Sequence, residues 1–199
     1  MPRRSDNKQG ALKVTNNSLD LAVSGVGMFI TASPDDGSIS YTRDGSFLID
    51  REGVLMTTDK RRVLNELGET IVIPPQKVDE SGMTSLLDTI QINNRGRIKL
   101  AYGDGSIVEV GNIGLARFGN IAGLKPAGNA QFVTTEKSGP AIVGVPMADS
   151  YGQVIQGHLE ASNAIVTDEL VKLMRAQQAY AGSSRLLQSA VEMEKSLIG

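Results

Sequence analysis

The sequence predicts a mainly β protein, a β-barrel or sandwich-like body of short antiparallel strands with one long C-terminal α-helix. Three observations predict it. Between residues 19 and 160 the apolar runs are short, and turn chemistry breaks them at intervals of about eight residues. Glycine is plentiful, 22 of 199 residues, where about 7% is ordinary, which calls for many tight turns. Residues 163–198 instead contain no proline and a single glycine, with apolar positions at helical spacing.

In chain order, residues 1–18 are a polar lead. Arg3 and Arg4 are followed by no apolar stretch, so the lead reads as a disordered start rather than a signal peptide. The β-rich domain is placed at 19–160. Leu19-Asp20-Leu21-Ala22-Val23-Ser24 alternates with strand period and Gly25-Val26-Gly27 breaks it. Met28–Ala32 is a second run. Pro34-Asp35-Asp36-Gly37 is a turn, with φ preset by proline early and glycine late. Ser38–Thr42 alternates again, Asp44-Gly45 is a strong hairpin signal, and Phe47–Asp50 and Val54–Thr57 flank the turn Arg51-Glu52-Gly53. Further strands are expected at Thr70–Ile73, stopped by Pro74-Pro75, and at Thr89–Asn93, Arg97–Leu100, Ser106–Val110 and Ile113–Phe118. Residues 80–88 fit neither period. With aromatics at 4% and no Trp, the core rests on aliphatic residues together with Met28, Phe29, Phe47 and Phe118.

The tail, 163–198, differs in kind. Asn163 suits an N-cap, and Asp168 and Glu169 lie early, where a helix dipole favours acids. Alternate steps of four and three from Val166 reach Leu170, Leu173, Gln177, Tyr180, Ser184, Leu187, Val191, Glu194 and Ile198. Seven of these ten positions are apolar or aromatic, a heptad seam. A helix over this span is about 50 Å long at 1.5 Å per residue. It cannot fold back whole onto a body of this size, so the seam asks for a partner helix. Val166, Leu170, Leu173, Tyr180, Leu187 and Val191 are the predicted assembly interface, each worth up to roughly 1.5–3 kcal/mol on burial.

Composition excludes several function classes. A net charge of −2 and a pI near 5.5 do not suit a basic nucleic-acid binder. No apolar run approaches the ~18 residues of a membrane-spanning helix. With no cysteine and one histidine, thiolate chemistry is excluded and most zinc sites are too. Gly25-Val26-Gly27 lacks the third glycine and the helix of a dinucleotide fingerprint. Asp35-Asp36-Gly37, Asp44-Gly45 and Asp104-Gly105 lack the alternating acids of a calcium loop and read as turns. His158 and Glu160 have no nucleophile at motif spacing, and Lys60-Arg61-Arg62 reads as a solvated edge. The expectation is a protein with no catalytic residues, no cofactor and no metal. Two rival classes stay open on the residues alone. One is a self-contained β-rich binding domain or hydrolase dimerised by the tail, for which the aromatics needed to bind sugar are scarce. The other is a phage-tail-like tubular assembly subunit.

The motifs carry a resemblance along most of the chain. Leu19-Asp20-Leu21-Ala22-Val23-Ser24-Gly25 with Gly27-Met28-Phe29 resembles a segment of the bacterial flagellar rod and hook protein family. So do Tyr41-Thr42-Arg43-Asp44-Gly45-Ser46-Phe47 with Asp50 and Gly53, and Ile113-Gly114-Leu115-Ala116-Arg117-Phe118 with Gly123-Leu124. Ser138-Gly139-Pro140 and Gly157-His158-Leu159-Glu160-Ala161-Ser162-Asn163 are similar to two more of its motifs. Glu169-Leu170-Val171, Gln177, Ala179-Tyr180 and Met193 match its C-terminal helix. The family's Asn-rich N-terminal helix has no counterpart. Only Gln9-Gly10 and Thr15-Asn16-Asn17 are similar to the segment that follows it. The resemblance implies a structural subunit of the flagellar rod or hook, with rod favoured on size. Its partners would be copies of itself and homologous axial subunits, with no nucleic acid and no membrane insertion. Its place would be the basal body or hook, reached by type III export without a cleaved signal.

Overall fold

A computed structural model describes residues 9–79 and 82–161 and, beyond them, positions 174, 177, 178 and 180. The chain divides into two units, Met1–Ala161 and Ser162–Gly199. Seventeen strands occur among the described residues. They are β1 (Leu12–Val14), β2 (Leu21–Ser24), β3 (Met28–Ala32), β4 (Ile39–Thr42), β5 (Phe47–Ile49), β6 (Leu55–Thr57), β7 (Arg62–Val63), β8 (Gln76–Val78), β9 (Thr84–Ile92), β10 (Arg97–Tyr102), β11 (Ile107–Asn112), β12 (Leu115–Arg117), β13 (Lys125–Gly128), β14 (Gln131–Val133), β15 (Ile142–Gly144), β16 (Gln153–Gln156) and β17 (His158–Glu160). All their pairings are antiparallel.

The centre is β3. Its run Met28-Phe29-Ile30 has no polar alternation, the mark of a strand buried on both faces. β4 pairs along one edge, from Phe29–Thr42 to Ala32–Ile39. The other edge is shared, by β12 at Met28 and Phe29 and by β7 at Thr31 and Ala32. From there the sheet continues through β14 and β13 on one side and β6 and β5 on the other, with β15 beyond β12. Phe29 enters the larger core with Leu21, Phe47, Leu55, Ile73 and Leu115. Met28 and Ile30 enter a smaller cluster with Tyr41, Leu64, Phe118 and Leu124. Phe29 meets Phe47 edge-on at 5.0 Å, and Tyr41 meets Phe118 likewise at 4.8 Å, which adds to the burial of each ring. One buried polar group is built across β3, β4 and β14. Thr31 Oγ1 and Ser40 Oγ both donate to Gln131 Oε1, at 3.0 and 2.8 Å.

A second sheet orders β11, β10, β9 and β8. Strand period governs it. Ile98, Leu100 and Tyr102 are buried in the larger core, while Arg97 and Lys99 face outward and meet Glu109 at 3.6 and 3.3 Å. Residues 84–88, ambiguous in sequence, form the first half of β9. Irregular register between Ala101 and Tyr102, opposite Thr89 and Leu87, interrupts the period there.

Most strand ends shift from expectation by one to a few residues, and two of the differences have a clear cause. β2 begins at Leu21, because Asp20 makes a single bridge to Ser46 instead of a ladder. Thr70–Ile73 forms isolated bridges, Leu64–Thr70 and Val54–Val72, rather than a strand. Its amides serve two neighbours in turn: Ile71 N donates to Val63 O and Ile73 N to Gly53 O. At the Gly25–Gly27 kink both glycines hold positive φ, +109° and +141°, and Gly25 lies so close to Gly152 that a Cβ would stand 2.9 Å from its Cα.

The fold class is corrected in one respect. The body is mainly β, but no α-helical element is defined among the described residues, whose one helical element is a 3-10 turn at Ile121–Gly123. The expected helix over 163–198 lies outside the described residues except at Met174, Gln177, Gln178 and Tyr180. These four positions have helical backbone but make no element. Apolar periodicity names the face a helix would bury. It does not supply the burial, from which most helical stability comes.

Candidate functional site

Of the six predicted interface residues, Val166, Leu170, Leu173, Leu187 and Val191 lie outside the described residues. Tyr180 is 80% exposed, and Met174, also in the tail, is 56% exposed. The described site nearest to them in sequence is the junction where the body's two ends meet.

There β1 pairs with β17, Leu12 opposite Glu160, Lys13 opposite Leu159 and Val14 opposite His158. Thr15 N donates to Gly157 O and Ala161 N to Ala11 O, both at 2.8 Å, so the ladder extends at each end. The entering and leaving segments of the unit therefore run side by side. Asp20 ties them to β2. Its backbone carbonyl accepts Gly157 N–H at 2.7 Å and His158 N–H at 3.3 Å, while Asn17 Nδ2 donates to its carboxylate at 2.9 Å.

The turn 43–46 packs against the same place. Leu21 N donates to Gly45 O at 3.0 Å, and a Cβ on Gly45 would stand 1.7 Å from Leu21 O. Only glycine fits without moving backbone. Asp44 Oδ1 holds the turn by accepting Ser46 N–H at 3.0 Å and Ser46 Oγ at 2.7 Å. Arg43 reaches from the turn towards Glu160, with Nη1 3.6 Å from Oε2. Burial pulls the Arg43 guanidinium below its ordinary pKa and the Glu160 carboxylate pushes it back up. Asp20, Arg43, Gly45 and Glu160 come from three separate motifs, and the fold brings them together.

The other candidate residues have structural roles. His158 Nδ1 hydrogen-bonds Gln156 O at 2.9 Å, across the Gly157 turn from β17 to the end of β16. Asp36 and Asp104 each accept the amide two residues on, from Ser38 at 3.0 Å and from Ser106 at 2.8 Å. Arg61 donates to Ser38 O, and Lys60 takes a turn position at φ +63°. Among the described residues no group of three or more His, Asp or Glu could hold a metal ion. Sequence reasoning missed β1 and the close packing of Gly10 beside it. A Cβ on Gly10 would stand 2.0 Å from Ala161 O, so its signal was a lone glycine in a polar lead.

Residues 22–100 match the model described as flagellar hook protein FlgE/F/G D1 domain. Residues 155–199 match that of the flagellar basal body rod FlgEFG protein C-terminal. The flagellar basal-body rod protein FlgG of Agrobacterium fabrum is 36% identical over 96% of this chain and 67% of its own length. The chain belongs to the flagellar rod and hook protein family. The FlgG proteins of Borreliella burgdorferi and Bacillus subtilis are 34% and 31% identical over 94% of the chain, covering 66% and 67% of their own lengths. The chain spans about two thirds of the length of these curated relatives. The crystal structure of Helicobacter pylori flagellar hook protein FlgE2 covers 71% of this chain and 43% of its own, at 14% identity and TM-score 0.34. Members of this family are structural proteins of the flagellum, not enzymes, and this chain is a structural subunit of the flagellar axial structure.

Proposed function

We propose that the chain is a rod-type axial subunit that joins copies of itself and homologous subunits through the apolar positions of its tail. Val166, Leu170, Leu173, Tyr180, Leu187 and Val191 bury against the corresponding segments of neighbours, and the β body forms the remaining contacts. The relatives named FlgG favour rod over hook. Export proceeds without a cleaved signal. One observation carries the assembly reading: the pairing of β1 with β17, which makes the entering and leaving segments neighbours on one body. The exposure of Met174 and Tyr180, two large side chains of the tail, supports it.

Sedimentation over a concentration series tests it. The natural chain should self-associate. Leu173→Asp and Leu187→Asp should remain monomeric while the amide protection of β3 and β10 stays as it was. Self-association unchanged in both variants sinks the tail interface.

A further inference from the structure

We infer that Arg43 and Glu160 form a latch that fixes where the entering and leaving segments run on the β body, which makes Arg43 a positioning residue for assembly. The guanidinium joins two segments, and its carboxylate partner brings in a third. Nη1 donates to Val23 O at 3.2 Å and Nη2 to Gly25 O at 2.9 Å, both at the end of β2. Nη1 also faces Glu160 Oε2 at 3.6 Å, across to β17. The other Glu160 oxygen, Oε1, accepts Gly10 N–H at 2.7 Å, which draws in the entering segment. Gln9 completes the closure. Its Nε2 donates to Val23 O at 3.2 Å, and its Oε1 accepts Gly25 N–H at 3.1 Å.

The energetics make the pair a device rather than a surface contact. The Glu160 side chain is 12% exposed, and its Oε2 is buried without a hydrogen-bond donor. A buried carboxylate oxygen with no donor is costly unless a positive charge faces it, and Arg43 is that charge. Removing either partner strands the other. The strand pair it guards is short, with three paired residues on each side, too few to hold an isolated two-stranded ribbon in water. The register of β1 on β17 therefore depends on the latch and the Asp20 bonds, not on ladder length. The latch deepens the assembly reading by assigning what sets the start of both segments. It rests on that reading only for its consequence in neighbouring subunits.

Amide hydrogen exchange on the dilute full chain tests it. Arg43→Gln should speed exchange across 10–15 and 158–161 by about tenfold or more, the scale of a lost charged hydrogen bond. Exchange at Ile98 and Leu100 in β10 should not change. Glu160→Gln, which keeps an acceptor for Gly10, should loosen the same two segments. The double variant should exchange no faster than Arg43→Gln alone, because it strands no charge. Unchanged exchange in both segments overturns the latch. So does a rise of equal size in β10, which would make Arg43 a general stabiliser, and so does strict additivity in the double variant. Because the chain is dilute, the outcome is independent of whether the tail mediates assembly.

Discussion

Single side chains in this protein act mainly by satisfying turns. Asp36 shows the principle with a measurable consequence. Its carboxylate accepts Ser38 N–H at 3.0 Å, and that bond, with the Ser33 and Ser38 hydroxyls, lowers its pKa from 3.8 to about 2. A depressed pKa means that the folded form favours the charged group. The contribution to the turn 33–38 is thus fully present above about pH 4 and is lost as pH falls through about 2. The Ser38 amide chemical shift should titrate with a midpoint near 2, and Asp36→Asn should abolish that titration. A midpoint near 4 would show that the bond is not populated. This turn was legible in the sequence, because Pro34-Asp35-Asp36-Gly37 carries its own chemistry. The Thr31–Ser40–Gln131 group was not. Gln131 lies 100 residues from Thr31, and nothing local to either marks the pairing.

At the scale of elements, the sequence was readable in several pairs of consecutive strands that show alternation around a turn, but not in β6–β7, β8–β9 or β13–β14. The β3–β4 and β5–β6 hairpins and the β10–β11 pair follow from alternation and turn residues within a short stretch. β1, β7 and β8 are two or three residues long and carry too little period to show. β1 also pairs with β17 at the far end of the body, so only the fold reveals it. The tail shows the opposite limit. Its heptad spacing is strong in sequence, yet no α-helical element is defined among the described residues. β10 gives a direct test of the alternation that did carry. Leu100 is fully buried, so Leu100→Ala should cost about 2–5 kcal/mol in denaturant unfolding. Lys99, the next residue, faces solvent and Glu109, so Lys99→Ala should cost at most about 1 kcal/mol and lose even that at high salt. Equal costs at the two positions would mean that both faces of this sheet are covered.

For the whole molecule, the question is how a body and a tail share the work of one axial subunit. The larger core draws on β2, β3, β5, β6, β7, β9, β10, β12 and β16. All their pairings close within residues 9–161. Among the described residues these pairings use no position beyond Ala161, which supports the proposal that the body's stability and the capacity to assemble belong to different stretches of sequence. Ending the chain after Ala161 should leave the thermal unfolding midpoint of the body within a few degrees of the full chain, and should remove self-association altogether. Removing residues 1–17 should do the reverse. It takes away β1, leaves β17 with an open edge, and deprives Glu160 of Gly10 and Asp20 of Asn17. That variant should melt earlier, first at β17, as read by exchange at His158–Glu160. If the tail-less chain melts far below the full chain instead, the tail packs on the body as a structural part of it, and the division of labour proposed for this subunit fails.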